Sequence, residues 1–149
     1  MFYKSKDTVT QALHKINLVF HRGEFIAVVG ESGSGKSTLL NVLSGLDTYE
    51  DGELYINNQE TSYYEQSDWE NYRKHYIGFV FQDFNIIDAY TVFDNVYIAL
   101  TIQGYDKAKR KERALELIDK VGLTSHLNHK ASKLSGGQKQ RVSIARALA

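Results

Sequence analysis

One junction constrains this chain more than any other stretch. Phe25-Ile26-Ala27-Val28-Val29 is a continuous apolar run, the pattern of a strand buried on both faces of a parallel sheet. It leads directly into Gly30-Glu31-Ser32-Gly33-Ser34-Gly35-Lys36-Ser37-Thr38. A helical pattern with Leu39, Leu40, Val42 and Leu43 follows, and Gly45 is its expected end. Residues 30–37 fit the spacing G-x-x-x-x-G-K-[ST], in the strand-loop-helix context that this spacing requires. Glycines let the backbone curl so that successive N–H groups point inward. The helix that follows starts with unpaired N–H groups and the positive end of its dipole. Such a concavity suits phosphate. Lys36 is placed to reach the β- and γ-phosphates, and the Ser37 hydroxyl to ligate Mg²⁺. A plain Gly/Ser turn with one exposed lysine explains neither the spacing nor the context.

Length and composition remove several other classes. At 149 residues the chain is one domain's length, enough to bury a sizeable core. Lys plus Arg and Asp plus Glu each number 18, so bulk charge asks for neither nucleic acid nor an anionic membrane. There is no cysteine, which rules out disulfides and thiolate metal sites. No apolar run approaches the roughly 20 residues needed to span a bilayer, and the N-terminus lacks a signal-peptide pattern. A cytoplasmic location is the default expectation.

The rest of the chain mixes strand and helix patterns without repeats or linkers. Ile16, Leu18 and Phe20 alternate as in a half-buried strand. Residues 53–56 read as a short strand, followed by an Asn57-Asn58 turn. Ser67-Asp68-Trp69-Glu70 fits a capping box, opening a helix to about His75. Residues 77–81 read as a second buried strand. Thr91 and Asp94 form a second capping box, opening a helix through Leu100. Ala114, Leu117, Ile118 and Val121 lie on one helical face that Gly122 ends. Val142, Ile144, Ala145 and Leu148 predict a last helix. The basic run 107–113 shares its helix with Glu112, Glu116 and Asp119, so it reads as a solvated face. Lys15, Arg22, His75, His126, His129, Lys130, Lys133, Lys139 and Arg141 are read as solvated surface too. No cluster has metal-ligand spacing.

A second motif narrows the class. Leu134-Ser135-Gly136-Gly137-Gln138 is followed by Lys139-Gln140-Arg141. Alone, a Ser-Gly-Gly run is an ordinary flexible turn. Downstream of a phosphate loop it closely resembles the signature of ABC ATPases. The chain resembles the nucleotide-binding domain of an ABC transporter over nearly its whole length. The wording around Arg22-Gly23-Glu24-Phe25, Ile77-Gly78-Phe79-Val80-Phe81-Gln82 and Ala145-Arg146-Ala147-Leu148 is most similar to the lipoprotein-release and macrolide-exporter subgroup.

That resemblance implies an α/β fold: a P-loop NTPase with a RecA-like core, an antiparallel β part and an α-helical subdomain, incomplete at both ends. The core with the antiparallel part is expected over 1–81, and the Q-loop with the helical subdomain over 82–149. It implies ATP and Mg²⁺ as ligands. Gly30, Ser32, Gly33, Ser34, Gly35, Lys36, Ser37 and Thr38 would hold the phosphates. Tyr3 would stack on adenine, or else be a frayed terminal aromatic. Gln82 would be the Q-loop glutamine, binding Mg²⁺ together with Ser37 and sharing the catalytic role with Lys36. Ser135, Gly136, Gly137 and Gln138 would meet the γ-phosphate held by a second ATP-binding subunit in a head-to-tail dimer. Phe84, Ile86, Ile87 and Tyr90 would face a transmembrane permease subunit, or else pack into the core. The implied protein is an ATPase, peripheral on the inner face of the cell membrane, that powers an exporter by ATP-driven dimerisation.

The family pattern continues with an apolar strand ending in Asp-Glu, the Glu polarising the attacking water, and then a switch histidine. The sequence ends at Ala149 before these. A strand before Tyr3 is also expected to be missing. Weak hydrolysis, and an exposed apolar edge along residues 25–29, are therefore expected. Glu31 and Asp83 are poor substitutes for the base. A hydrolysis-deficient nucleotide-binding remnant is the alternative. Compact spacing argues against the soluble ABC proteins of DNA repair or translation, and Leu134-Ser135-Gly136-Gly137-Gln138 argues against a phosphate-loop kinase.

Overall fold

Tight turns and helix ends at particular residues set most of the local architecture. The computed structural model describes residues 13–149, together with the backbone of β1 (Phe2–Ser5) and β2 (Thr8–Gln11). After the β1–β2 antiparallel pair come α1 (Lys36–Leu43), β3 (Tyr55–Ile56), β4 (Gln59–Glu60) and α2 (Gln66–Tyr76). Then follow α3 (Val92–Gln103), α4 (Arg110–Lys120) and α5 (Gly136–Ala147), with 3-10 turns at Thr124–His126 and Ala131–Lys133 between the last two helices. The chain divides into two compact units, Met1–Arg73 and Lys74–Ala149.

In the first unit, β3 and β4 pair antiparallel across Asn57 and Asn58, whose φ values are 51° and 64°. Two left-handed residues in succession form the turn that matches strand twist, and asparagine tolerates that conformation. The ladder is shorter than the 53–56 strand expected from sequence. α1 ends where Gly45 takes φ 67°. Gly45 also leaves room for α2, since a Cβ there would lie 2.1 Å from the Trp69 ring. Tyr72 donates to the Leu43 carbonyl at 3.2 Å and Arg73 donates to the Gly45 carbonyl. The first bond satisfies a carbonyl that the end of a helix leaves without a partner, and the second ties down the turn that follows. Partial burial pushes the Tyr72 hydroxyl pKa up. α2 starts two residues earlier than expected: the Asp68 carboxylate accepts from the Glu65 N–H at 2.9 Å, so Glu65, not Ser67, occupies the cap.

The expected strands at 16–20, 25–29 and 77–81 form no ladder among the described residues. Phe25 is fully exposed and Val29 is 86% exposed. A strand is stable only when a neighbour takes up its N–H and C=O groups, and no described segment pairs with these. The apolar exposure expected along residues 25–29 is therefore present, without the strand itself.

The second unit holds the hydrophobic core. α3 contributes Val92, Val96 and Leu100, α4 Ala114, Leu117 and Ile118, and α5 Val142 and Ala145. Leu123, Ala131 and Leu134 from the connecting segment complete it. The i, i+3, i+4 spacing on each helix puts these side chains on one stripe. Thr91 caps α3 in a reciprocal box with Asp94, and Gly104 ends the helix at φ 79°, one turn later than sequence suggested. The exposed side of α4 is charged. Lys120 and Arg113 hold the Glu116 carboxyl below its ordinary range, at 2.7 Å and 2.8 Å. Leu117 is 1% exposed. Leu117→Ala should cost about 2–5 kcal/mol through lost transfer energy plus a cavity, read as a lower midpoint in urea denaturation.

Candidate functional site

The phosphate loop curls around its own lysine. Lys36 Nζ donates to the Gly30 carbonyl at 3.0 Å, to the Glu31 carbonyl at 2.6 Å and to Ser34 Oγ at 3.3 Å. The Ser34 N–H closes the turn onto the Glu31 carbonyl at 3.2 Å. Gly33 and Gly35 have φ values of 82° and 87°, a conformation that costs other residues about 1–3 kcal/mol. Gly30 has a different role: a Cβ there would sit 2.6 Å from Ser34 Oγ. Gly35 occupies the cap position of α1 with no side-chain bond to the first turn, and that turn carries no acidic residue. The N–H groups at this end are left for an anion. Ser37 is exposed and Thr38 half-buried. Residues 30–38 are thus assembled around one ammonium group and one helix end.

The second motif is also a helix end, built by a reciprocal cap. Ser135 Oγ accepts from the Gln138 N–H at 3.3 Å, and Gln138 Oε1 accepts from the Ser135 N–H at 2.9 Å. α5 therefore begins within the motif, at Gly136, rather than after the Gly-Gly pair. Nothing lies within 4 Å of a Cβ built on Gly136 or Gly137, so this face is open. Gly137→Ala should leave stability unchanged or raise it by up to about 1 kcal/mol, because alanine is the better helix former. Thermal melting checks this, and unfolding of the variant would show that the bare face is needed for the fold itself.

Gln82 is exposed in the loop after residues 77–81. That loop is pinned. Phe84 and Asn85 both take positive φ, 62° and 46°, and Arg146 of α5 donates to the Asn85 carbonyl. Burial lowers the Arg146 pKa. Asn95, fully buried, accepts from the Ile87 N–H at 2.8 Å and donates to the Ile87 and Thr91 carbonyls at 3.0 Å each. Sequence reading missed Asn95 and Arg146. The signal for Asn95 was a polar residue among the stripe positions Val92, Val96 and Leu100. Of the loop's apolar residues, Ile86 packs against the core, while Ile87 and Tyr90 are 36% and 40% exposed. The side chain of Tyr3 lies outside the described residues.

Three basic residues read as plain surface are engaged. Lys139 pairs with Asp88 at 3.0 Å. Arg141 donates to the Val121 and Gly122 carbonyls at 3.4 and 3.5 Å. His126 is half-buried, with Nε2 2.9 Å from Gln138 Nε2. No group of three or more His, Asp or Glu side chains that could hold a metal ion occurs among the described residues. At the phosphate loop a divalent cation would depend on a hydroxyl oxygen such as that of Ser37, completed by phosphate oxygens. That donor set fits Mg²⁺, which keeps several waters and uses few protein ligands.

A glycine-cornered phosphate loop feeding a helix, together with a reciprocally capped Gly-Gly helix end, defines the cassette type of phosphate-loop fold. The family model for the ABC transporter matches residues 13–149, and the chain belongs to that family. It is 44% identical over 147 residues to an uncharacterised ABC transporter ATP-binding protein of Methanocaldococcus jannaschii, covering 99% of this chain and 66% of the relative. It is 43% identical over 146 residues to the lipoprotein-releasing system ATP-binding protein LolD of Saccharophagus degradans, covering 98% of this chain and 64% of the relative. Among solved structures, it matches a dimeric ATP-binding cassette in a post-hydrolysis state bound to ADP and Pi. The TM-score is 0.90 at 42% identity, over 99% of this chain and 66% of that one. The chain thus spans just under two thirds of the length of these relatives.

Proposed function

We propose that this chain is part of an ATP-binding, ATP-hydrolysing subunit that powers an exporter-type ABC transporter through ATP-driven dimerisation. The observation that carries this reading is the phosphate loop: a lysine whose ammonium donates to loop oxygens, beside a helix end with no side-chain cap. An incoming triphosphate offers Lys36 anionic oxygens in place of the neutral Gly30 and Glu31 carbonyls, which adds the attraction of opposite charges to bonds the ammonium already makes. The backbone N–H groups of residues 33–38 then cradle the β- and γ-phosphates. Magnesium, held by Ser37 and Gln82, would neutralise charge on those phosphates. Gln82 would also orient the attacking water. The open N–H groups of Gly136 and Gly137 would receive the γ-phosphate of a second subunit across a head-to-tail dimer. ATP would thereby join two subunits, and its hydrolysis would release them.

The loop 82–90 would carry this change to a transmembrane permease. Ile87 and Tyr90 supply exposed apolar contacts there, on a backbone that Asn95 and Arg146 hold in place. No helix among the described residues is long and apolar enough to cross a membrane. Attachment to the inner face of the cell membrane would come through the permease. Nothing in the balanced charge supports a nucleic-acid partner.

Sedimentation with Mg²⁺ and a slowly hydrolysed ATP analogue tests the reading. A nucleotide-dependent dimer, reversed by ADP, is expected. Nucleotide binding at the phosphate loop without any dimer would overturn the motor reading and leave a nucleotide-binding module.

A further inference from the structure

The capping glutamine of α5 is itself held, and the group that holds it lies outside the signature. Gln138 Oε1 accepts from the Ser135 N–H, which fixes the orientation of the carboxamide, because a flipped amide would set a donor against a donor. Gln138 Nε2 therefore donates, and its partner is His126 Nε2 at 2.9 Å. An imidazole nitrogen that accepts carries no proton. A neutral ring then bears its proton on Nδ1, where Ser125 Oγ lies at 2.9 Å as the acceptor. The direction of every bond in the row follows: Ser135 N–H to Gln138, Gln138 N–H to His126, His126 Nδ1–H to Ser125.

The histidine can serve as a fixed post because its own segment is tied to all three helices of the unit. The His126 N–H donates to the carbonyl of fully buried Leu123 at 2.8 Å. Thr124 Oγ1 donates to the Asp119 carboxylate of α4 at 2.8 Å. The first-turn donors Val92 N–H and Phe93 N–H of α3 bond the His129 and Leu127 carbonyls at 3.0 and 3.1 Å. Arg141 of α5 reaches back to the Val121 and Gly122 carbonyls. The His129 ring abuts the His126 ring edge-on, at 5.1 Å between centroids. Without a neighbour that accepts, Gln138 would exchange the Ser135 bond for solvent, and the first turn of α5 would fray.

We propose that His126 is a positioning residue for the signature end of α5: by accepting from Gln138 it keeps the reciprocal cap closed, and so holds the Gly136 and Gly137 N–H groups in line for a phosphate oxygen. The cap itself is independent of function. The phosphate role rests on the reading proposed above.

Imidazole ¹⁵N NMR of the unmodified chain tests the bond directly. The expected result is a proton on Nδ1 of His126 and none on Nε2. A proton on Nε2 overturns the proposal without recourse to any variant. In His126→Phe, amide exchange at Ser135 should speed up about fivefold, the size expected for losing one ordinary hydrogen bond. Exchange at buried Val142 should not change. His126→Gln, which can return an amide oxygen to the Nε2 position, should restore protection. Equal Ser135 exchange in the wild type and His126→Phe would sink the proposal. Sedimentation with the ATP analogue separates the two readings. A wild type that fails to dimerise removes the motor reading, while the NMR results still judge the cap. A wild type that dimerises equally well as His126→Phe, despite a frayed cap, removes the phosphate role of His126.

Discussion

Lys36→Ala should weaken ATP binding about a hundredfold while the chain stays folded. The ammonium group is the only cation inside the loop, and three loop oxygens converge on it. Bonds from a charged donor are worth about 1.5–3 kcal/mol each, so losing those to phosphate removes about 3 kcal/mol of binding, close to two decades in Kd. The change acts a second time through the free protein. Without the ammonium, the Gly30 and Glu31 carbonyls lose their donor, and the concavity is no longer held open for the ligand. Lys36→Arg should fail nearly as badly, because a planar guanidinium cannot replace a point charge among converging carbonyls. Titration with a fluorescent ATP analogue, alongside a thermal melt, checks both substitutions. Unchanged affinity in Lys36→Ala with an intact melt would mean that nucleotide does not use this loop.

Gly78→Ala should destabilise the second unit by about 1–3 kcal/mol, and Gly78→Val by more. A Cβ on Gly78 would lie 2.3 Å from the Ala147 carbonyl oxygen and 3.2 Å from its carbon. Those are backbone atoms at the end of α5, so no rotamer change relieves the clash. The helix end or residues 77–79 must shift, and with them Arg146, which anchors the loop through the Asn85 carbonyl. The variant should therefore lower the denaturation midpoint and also speed amide exchange in the 82–90 loop. The contrast with Gly137 is informative, since both glycines stand in motifs that point to function. One is bare because another backbone occupies the space. The other is bare over open solvent, where only a ligand would need the room. A melt for Gly78→Ala matching that of the unmodified chain would show that the contact is not rigid.

Several elements were legible because their hydrogen bonds span three or four residues. The Thr91 and Asp94 box, the left-handed Asn57-Asn58 turn and the glycine ends of α1 and α4 all appear where their residue types placed them. The α4 stripe of Ala114, Leu117 and Ile118 is buried as its period predicted. The start of α2 was misread because Glu65, a poor cap by type, is held by Asp68 from the third helical position. The 25–29 run was read as a strand from apolarity alone, yet pairing needs a partner that no local pattern supplies. His126 and Arg146 carried no signal, because their partners lie 12 and 61 residues away.

By itself the sequence determined the family, the phosphate loop and the presence of a capped signature helix. Each of these depends on residue types at short fixed spacings, where backbone conformation and nearest-neighbour bonds decide the outcome. The tertiary structure alone decided that Gly78 must be bare, that Asn95 and Arg146 hold the Gln82 loop, that Trp69 fills the space beside Gly45, and that His126 anchors the signature cap. Those follow from atoms brought within a few ångströms by packing between helices, and packing is a property of surfaces that a single segment does not contain.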